Sequence, residues 1–171
     1  MKLQRWPVTA LFITAALLNV TAAFGQDSSM AVVTIKLSII KSACHINDDR
    51  AIKAEFGEVP VNKLNLATAT VPITIACDDK PQGTLTMELK GTESAFDTHA
   101  LQTDRQGLGI TFTSAKSEPV DLNTFYDVTS KFGLTSKTGA FNLTAHLTSD
   151  SKTVLAGGEF NASATLILQV S

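Results

Sequence analysis

The chain has 171 residues, 44% of them hydrophobic and 18% charged, with a formal net charge of −2. That length sets the scale of one domain with a sizeable core. A near-neutral chain with no basic cluster lacks the electrostatic footprint of a nucleic-acid-binding protein.

Residues 1–25 read as a secretory signal peptide. Lys2 and Arg5 supply the charged start, Val8, Leu11, Ile13, Leu17 and Leu18 the apolar stretch, and Ala22, Ala23 and Gly25 the small residues before expected cleavage at Gln26. The apolar stretch is too short to span a membrane. Export would place the two cysteines, Cys44 and Cys77, in an oxidising compartment, so a disulfide is expected. Closing that loop is worth roughly 4 kcal/mol. A metal site would need further ligands at suitable spacing. His45 adjoins Cys44, but His99 and His146 stand alone, and there is no C-x-x-C or H-x-x-x-H.

Beyond the leader, strand periodicity dominates. Ala31, Val33, Ile35, Leu37 and Ile39 fall on one face of an alternating run that begins well ahead of Cys44. Ile52, Ala54 and Phe56 make a short run closed by Gly57. Val71 to Cys77 reads as a strand with Pro72 near its start, where proline is tolerated. Leu85, Met87 and Leu89 alternate, as do Leu108, Ile110 and Phe112, and Phe141, Leu143, Ala145 and Leu147. The last run places Phe160, Ala162, Ala164, Leu166, Leu168 and Val170 on one face, with Glu159, Asn161, Ser163, Thr165 and Gln169 on the other. Seven or so strands with turn-rich loops predict an all-β sandwich. Asn62–Thr70 and Glu93–Arg105 leave room for a helical turn. An apolar strand near each end of the domain points to strand exchange between molecules, because an uncovered strand of this kind invites pairing.

No G-x-S-x-G, paired-carboxylate or histidine-based triad pattern occurs, so neither an enzyme nor a cofactor is expected. Asp48, Asp49, Asp78, Asp79 and Asp104 read as turn residues.

The run Cys44-His45-Ile46-Asn47, followed by Phe56-Gly57-Glu58-Val59, resembles a C-x-I-N…F-G-x-V segment of the pilin subunits of bacterial chaperone–usher fimbriae. Cys77 at the end of its strand, Leu108-Gly109-Ile110, and the block from Gly158 to Leu166 are similar to the same family in order and spacing. The likeness spans the chain beyond the leader and is nearest to the minor and adaptor subunits of type 1 and P-like systems. Two positions depart from the pattern. Val170 stands where pilins commonly carry tyrosine, and Ile35 to Ile40 contains no glycine where the family often has one.

The resemblance implies an incomplete immunoglobulin-like sandwich that lacks its last strand and is completed by donor-strand exchange. Residues 26–40 would be an N-terminal donor extension running into the first strand, with Ala31, Val33, Ile35 and Leu37 as its inserting residues, and 41–171 would be the pilin domain. Gly158, Phe160, Ala162, Ala164, Leu166, Leu168 and Val170 would form the strand lining the groove for chaperone and neighbouring subunit. The expected partners are a periplasmic fimbrial chaperone, an outer-membrane usher and neighbouring fimbrial subunits. The expected role is a non-catalytic minor or adaptor subunit of a fimbrium on the bacterial surface. The competing reading is an adhesin that itself binds a host receptor, although two-domain adhesins carry an extra domain and need no donor segment.

Overall fold

A computed structural model describes residues 31–39, 44–78, 83–135 and 138–171, and within 31–39 the side chains of Thr34 and Ile35 alone. The expected leader at 1–25, residues 26–30 and 40–43, and the side chains of Ala31, Val33 and Leu37 lie outside the described residues.

The strands follow from the alternating runs. β1 is Ala31–Ile39, β2 Cys44–Ile46, β3 Ile52–Glu55 and β4 Thr68–Cys77. β5 is Leu85–Lys90, β6 Glu93–Ser94, β7 Asp97–Gln102, β8 Leu108–Thr113 and β9 Phe125–Asp127. A short helix, α1 (Val128–Phe132), precedes the long strands β10 (Thr138–Ser149) and β11 (Phe160–Val170). They form two sheets, one ordered β3-β1-β11-β5-β9 and the other β2-β4-β10-β8-β7-β6.

The core lies between the sheets. Ile35, Met87, Leu89, Leu166 and Leu168 enter from the first sheet, and Val71, Ile73, Ile75, Ile110, Phe112 and Leu143 from the second. Each such side chain gains about 1.5–3 kcal/mol from leaving water. The sandwich is immunoglobulin-like, and among the described residues no strand follows β11. The flank of β11 that such a strand would take is occupied by β1.

The helical expectations were half right. Asn62–Thr70 holds the 3-10 helix Val61–Leu66 before β4 begins. Glu93–Arg105 instead holds β6 and β7, at the edge of the second sheet. Their ladder carries a register shift between Glu93 and Ser94, which blurs the alternation that reveals a regular strand. The α-helix lies at Val128–Phe132, where it was not expected. Its signals are local: the Asp127 carboxylate accepts the Ser130 N–H at 2.8 Å, and Gly133 ends it with φ of 77°.

The chain crosses from one sheet to the other between β2 and β3. Asn47, Asp48 and Asp49 all adopt left-handed backbone conformations, with φ of 50°, 51° and 61°. Asparagine and aspartate tolerate that region better than other side-chain-bearing residues. Asn47 also continues the β2 ladder with its side chain. Its Oδ1 accepts the Thr74 N–H at 2.6 Å, and its Nδ2 donates to the Pro72 carbonyl at 3.2 Å. The last member of the C-x-I-N segment thus satisfies the flank of β4 that β2 is too short to reach.

Cys44 and Cys77 face each other across the β2–β4 ladder and form the expected disulfide. Thiol labelling of the denatured, unreduced protein is expected to find no free sulfhydryl. Replacing both cysteines with alanine should lower the unfolding free energy by roughly 4 kcal/mol in denaturant titration.

Candidate functional site: the last strand and its neighbour

β11 depends on β1 for one flank. β1 runs parallel to it, from Ala31 opposite Phe160 to Ile39 opposite Leu168. The other strand pairs are antiparallel. On the opposite flank β5 covers only Thr165–Val170. The first half of β11, Phe160–Ala164, therefore has β1 as its one strand partner among the described residues. β1 itself is held on its far side by β3, with Ile35 opposite Ile52.

The expected groove-strand face is the buried face. Phe160, Ala162, Ala164, Leu166 and Leu168 all point into the core, the two leucines with no exposed surface. Val170 is half-buried at the end of the strand, packed against the core rim. On the expected donor side, Ile35 is fully buried. Phe160 meets the Phe56 ring at a centroid distance of 6.1 Å and closes that end of the core.

Gly158 has φ of 133°, and a side chain there would collide with the Arg105 guanidinium. That guanidinium grips the turn around the glycine. Nη1 donates to the Gly157 carbonyl at 3.2 Å, and Nη2 to the Glu159 carbonyl at 2.7 Å. The next residue back, Asp104, fastens the first turn of β11. Its Oδ1 accepts the Asn161 N–H at 2.8 Å, its Oδ2 accepts from Asn161 Nδ2 at 3.2 Å, and its own N–H donates to the Asn161 carbonyl at 2.9 Å. In sequence Asp104 reads as a turn residue and Arg105 carries no signal. Both are contacts across more than fifty residues, which no local pattern encodes.

The loop before β11 is braced as well. Asp150 is half-buried, and its carboxyl is held below the ordinary aspartate range by the Lys152 backbone N–H and then by the Thr153 hydroxyl. A lowered folded-state value favours the folded loop above the unfolded one. That support is lost as acid protonates the carboxylate.

Chemically, the arrangement is suited to holding an extended strand through backbone hydrogen bonds and alternate side-chain pockets. Exposed His–Asp contacts, His45 with Asp49 and His99 with Asp121, lie on the surface. Among the described residues no group of three or more histidine, cysteine or acidic side chains is placed to hold a metal ion.

A family model described as fimbrial protein matches residues 33–171. The chain belongs to the fimbrial protein family. This fimbrial protein is similar in fold to the P pilus adaptor subunit PapF at 22% identity and a TM-score of 0.55, with 75% of this chain and 95% of that one covered. It is similar to the P pilus rod subunit PapA at 20% identity and a TM-score of 0.58, with 78% and 96% covered. A chain of a chaperone–usher pilus solved in connection with rod uncoiling matches at 19% identity and 0.58, with 78% and 91% covered. No curated protein matches the sequence.

The clamp on β11 yields an expected outcome. Gly158→Ala should cost about 1–3 kcal/mol from backbone strain, with the Arg105 collision added to it. Arg105→Ala should weaken the protein less, and combining the two should cost less than their sum, since the collision is then gone. Thermal melts of the three variants check this.

Proposed function

We propose that this chain is a non-catalytic minor or adaptor subunit of an adhesive fimbrium on the bacterial cell surface. In this reading residues 1–25 direct it to the periplasm, a periplasmic chaperone holds it, and an outer-membrane usher passes it into the fibre. Polymerisation is by donor-strand exchange. Residues 26–40 act as the donor extension, with Ala31, Val33, Ile35 and Leu37 as the inserting residues, and 41–171 form the pilin domain. Gly158, Phe160, Ala162, Ala164, Leu166, Leu168 and Val170 form the receiving strand.

One observation carries the reading: the slot beside β11 is filled by β1, an N-terminal segment that precedes Cys44 in the chain and pairs parallel to β11. A slot closed by such a segment can be closed by another molecule's segment through the same hydrogen bonds. The likeness in fold to PapF, a P pilus adaptor subunit, and to PapA, a P pilus rod subunit, supports a place in a fibre.

Co-expression with the chaperone of a matching fimbrial system should give a one-to-one complex. Leu168→Asp, which sets a charge in an apolar slot, should abolish capture. Gln169→Asp, on the exposed face, should leave it unchanged. Pull-down from periplasmic extract reads the result. Failure of the unaltered chain to bind, or equal binding by both variants, would overturn the reading.

A further inference from the structure

β4, β10 and β8 lie side by side in the second sheet, and none of them contains a Lys, Arg, Asp or Glu residue. The chain as a whole is 18% charged, and a surface built for solubility alone carries charge at about a quarter to a third of its positions. Val71, Ile73, Leu143, Ala145, Ile110 and Phe112 take the inward positions of these strands. The alternate positions face outward. The outer side of the first sheet is different, with Lys53, Glu55 and Lys90 exposed on it.

The register sets the outward side chains in ranks. Thr70, Thr144 and Thr113 stand in one, and Thr68, His146 and Thr111 in the next. Neighbours within a rank are about 4.8 Å apart, and the ranks about 7 Å apart. Each threonine offers a methyl and a hydroxyl that both donates and accepts. His146 is the one titratable side chain in the three strands, and its Nε2 lies 3.0 Å from Thr113 Oγ1. Such a face holds no ionic partner, and covering it desolvates no carboxylate, ammonium or guanidinium. From Thr68 to Ala76 it is about 27 Å long, and with a width of about 14 Å its footprint is roughly 400 Å². That is half of the ~800 Å² that each partner gives to a standard protein interface, too little for a stable second copy. A single terminal sugar takes a concave site, and the twist of a three-stranded sheet breaks register with a rigid crystalline surface. An extended chain of neutral hydroxylated rings fits on all these counts. Its hydroxyls meet the threonine hydroxyls, and the apolar faces of its rings meet the threonine methyls.

We propose that the outer face of β4, β10 and β8 binds a neutral extracellular polysaccharide in an extended conformation, through the two ranks centred on Thr144 and His146. The site stands on the composition and register of these three strands. It rests on the fimbrial reading only for its strength, because many copies along one fibre raise a weak single-site affinity by about 10²–10⁴.

The test is affinity electrophoresis of the full secreted chain in native gels that hold a soluble neutral β-glucan, a neutral galactomannan or polyanionic alginate, each mobility being taken relative to a gel without polysaccharide. The expected result is retardation by at least one neutral polymer and none by alginate. Thr70→Glu should abolish the retardation. The double change Thr70→Val and Thr144→Val keeps shape and strand propensity while removing two hydroxyls, and it should weaken the apparent affinity about tenfold. Ser163→Glu, on the exposed side of the first sheet, should leave it unchanged. Thermal melts within a few degrees of the unaltered chain show that each variant is folded. Retardation by neither neutral polymer, equal retardation of the valine variant, or retardation by alginate as well would overturn the proposal. So would self-association in sedimentation velocity that Thr70→Glu abolishes in a chain no glycan retards, which would make the face a contact between copies. A chain that a neutral polymer retards but no fimbrial chaperone captures keeps this site and loses the fibre. A captured chain that no neutral polymer retards keeps the fibre and loses this site.

Discussion

A strand inside a sheet must have its backbone groups satisfied on both flanks, and the first half of β11 meets that requirement through β1 and, at Asn161, through Asp104. Buried backbone N–H and C=O groups left unpaired are costly. The need is greatest at Phe160–Ala164, where β5 does not reach. The core is organised around it: Ile35 from β1 meets the same interior as Leu166 and Leu168 from β11. The Asp104 and Arg105 contacts then fix where β11 begins, so that the inward face starts at Phe160 and does not slip by one residue. Such a slip would turn every apolar side chain of the strand to solvent.

Faces were legible in the sequence, whereas partners were less so. The alternation of Phe160 to Val170 and of Val71 to Cys77 gave the correct inward sets, because period two is a property of the strand alone. The disulfide and the turn at Asp48 and Asp49 were also legible, since oxidation state and left-handed tolerance belong to residue type. The parallel placement of β1 beside its own β11 was not. Hydrophobic pattern says which side of a strand is buried, but the neighbour is selected by chain length and hydrogen bonding. β9 and α1 escaped notice because three-residue and five-residue elements carry too little periodicity, although Asp127 and Gly133 mark the ends of α1. The Arg105 contact to the Gly158 turn is legible only in three dimensions.

The C-x-I-N segment shows how one short run performs several tasks. Cys44 staples β2 to β4, Ile46 enters the core, and Asn47 both turns the backbone and occupies the flank of β4 at Pro72 and Thr74. Pro72 has no N–H to offer, so at that residue the carbonyl is the group that needs a partner, and Asn47 supplies it. The change of sheet between β2 and β3 then brings Ile52 opposite Ile35. The strand that flanks β1 on its far side and the strand bonded to Cys77 are thus neighbours in sequence.

The disulfide also determines how the sandwich bears a load. Were β1 drawn out of its slot, as the donor-strand proposal requires, tension on it would enter the sandwich at Cys44, the first residue of a strand only three residues long. Three residues of ladder would peel readily under tension. The covalent bridge instead passes the pull directly to Cys77, the end of a ten-residue strand paired along most of its length with β10. Strain applied outside the domain is therefore shared across an extended ladder loaded along its strands, with the bond between two sulfur atoms as the point of transfer.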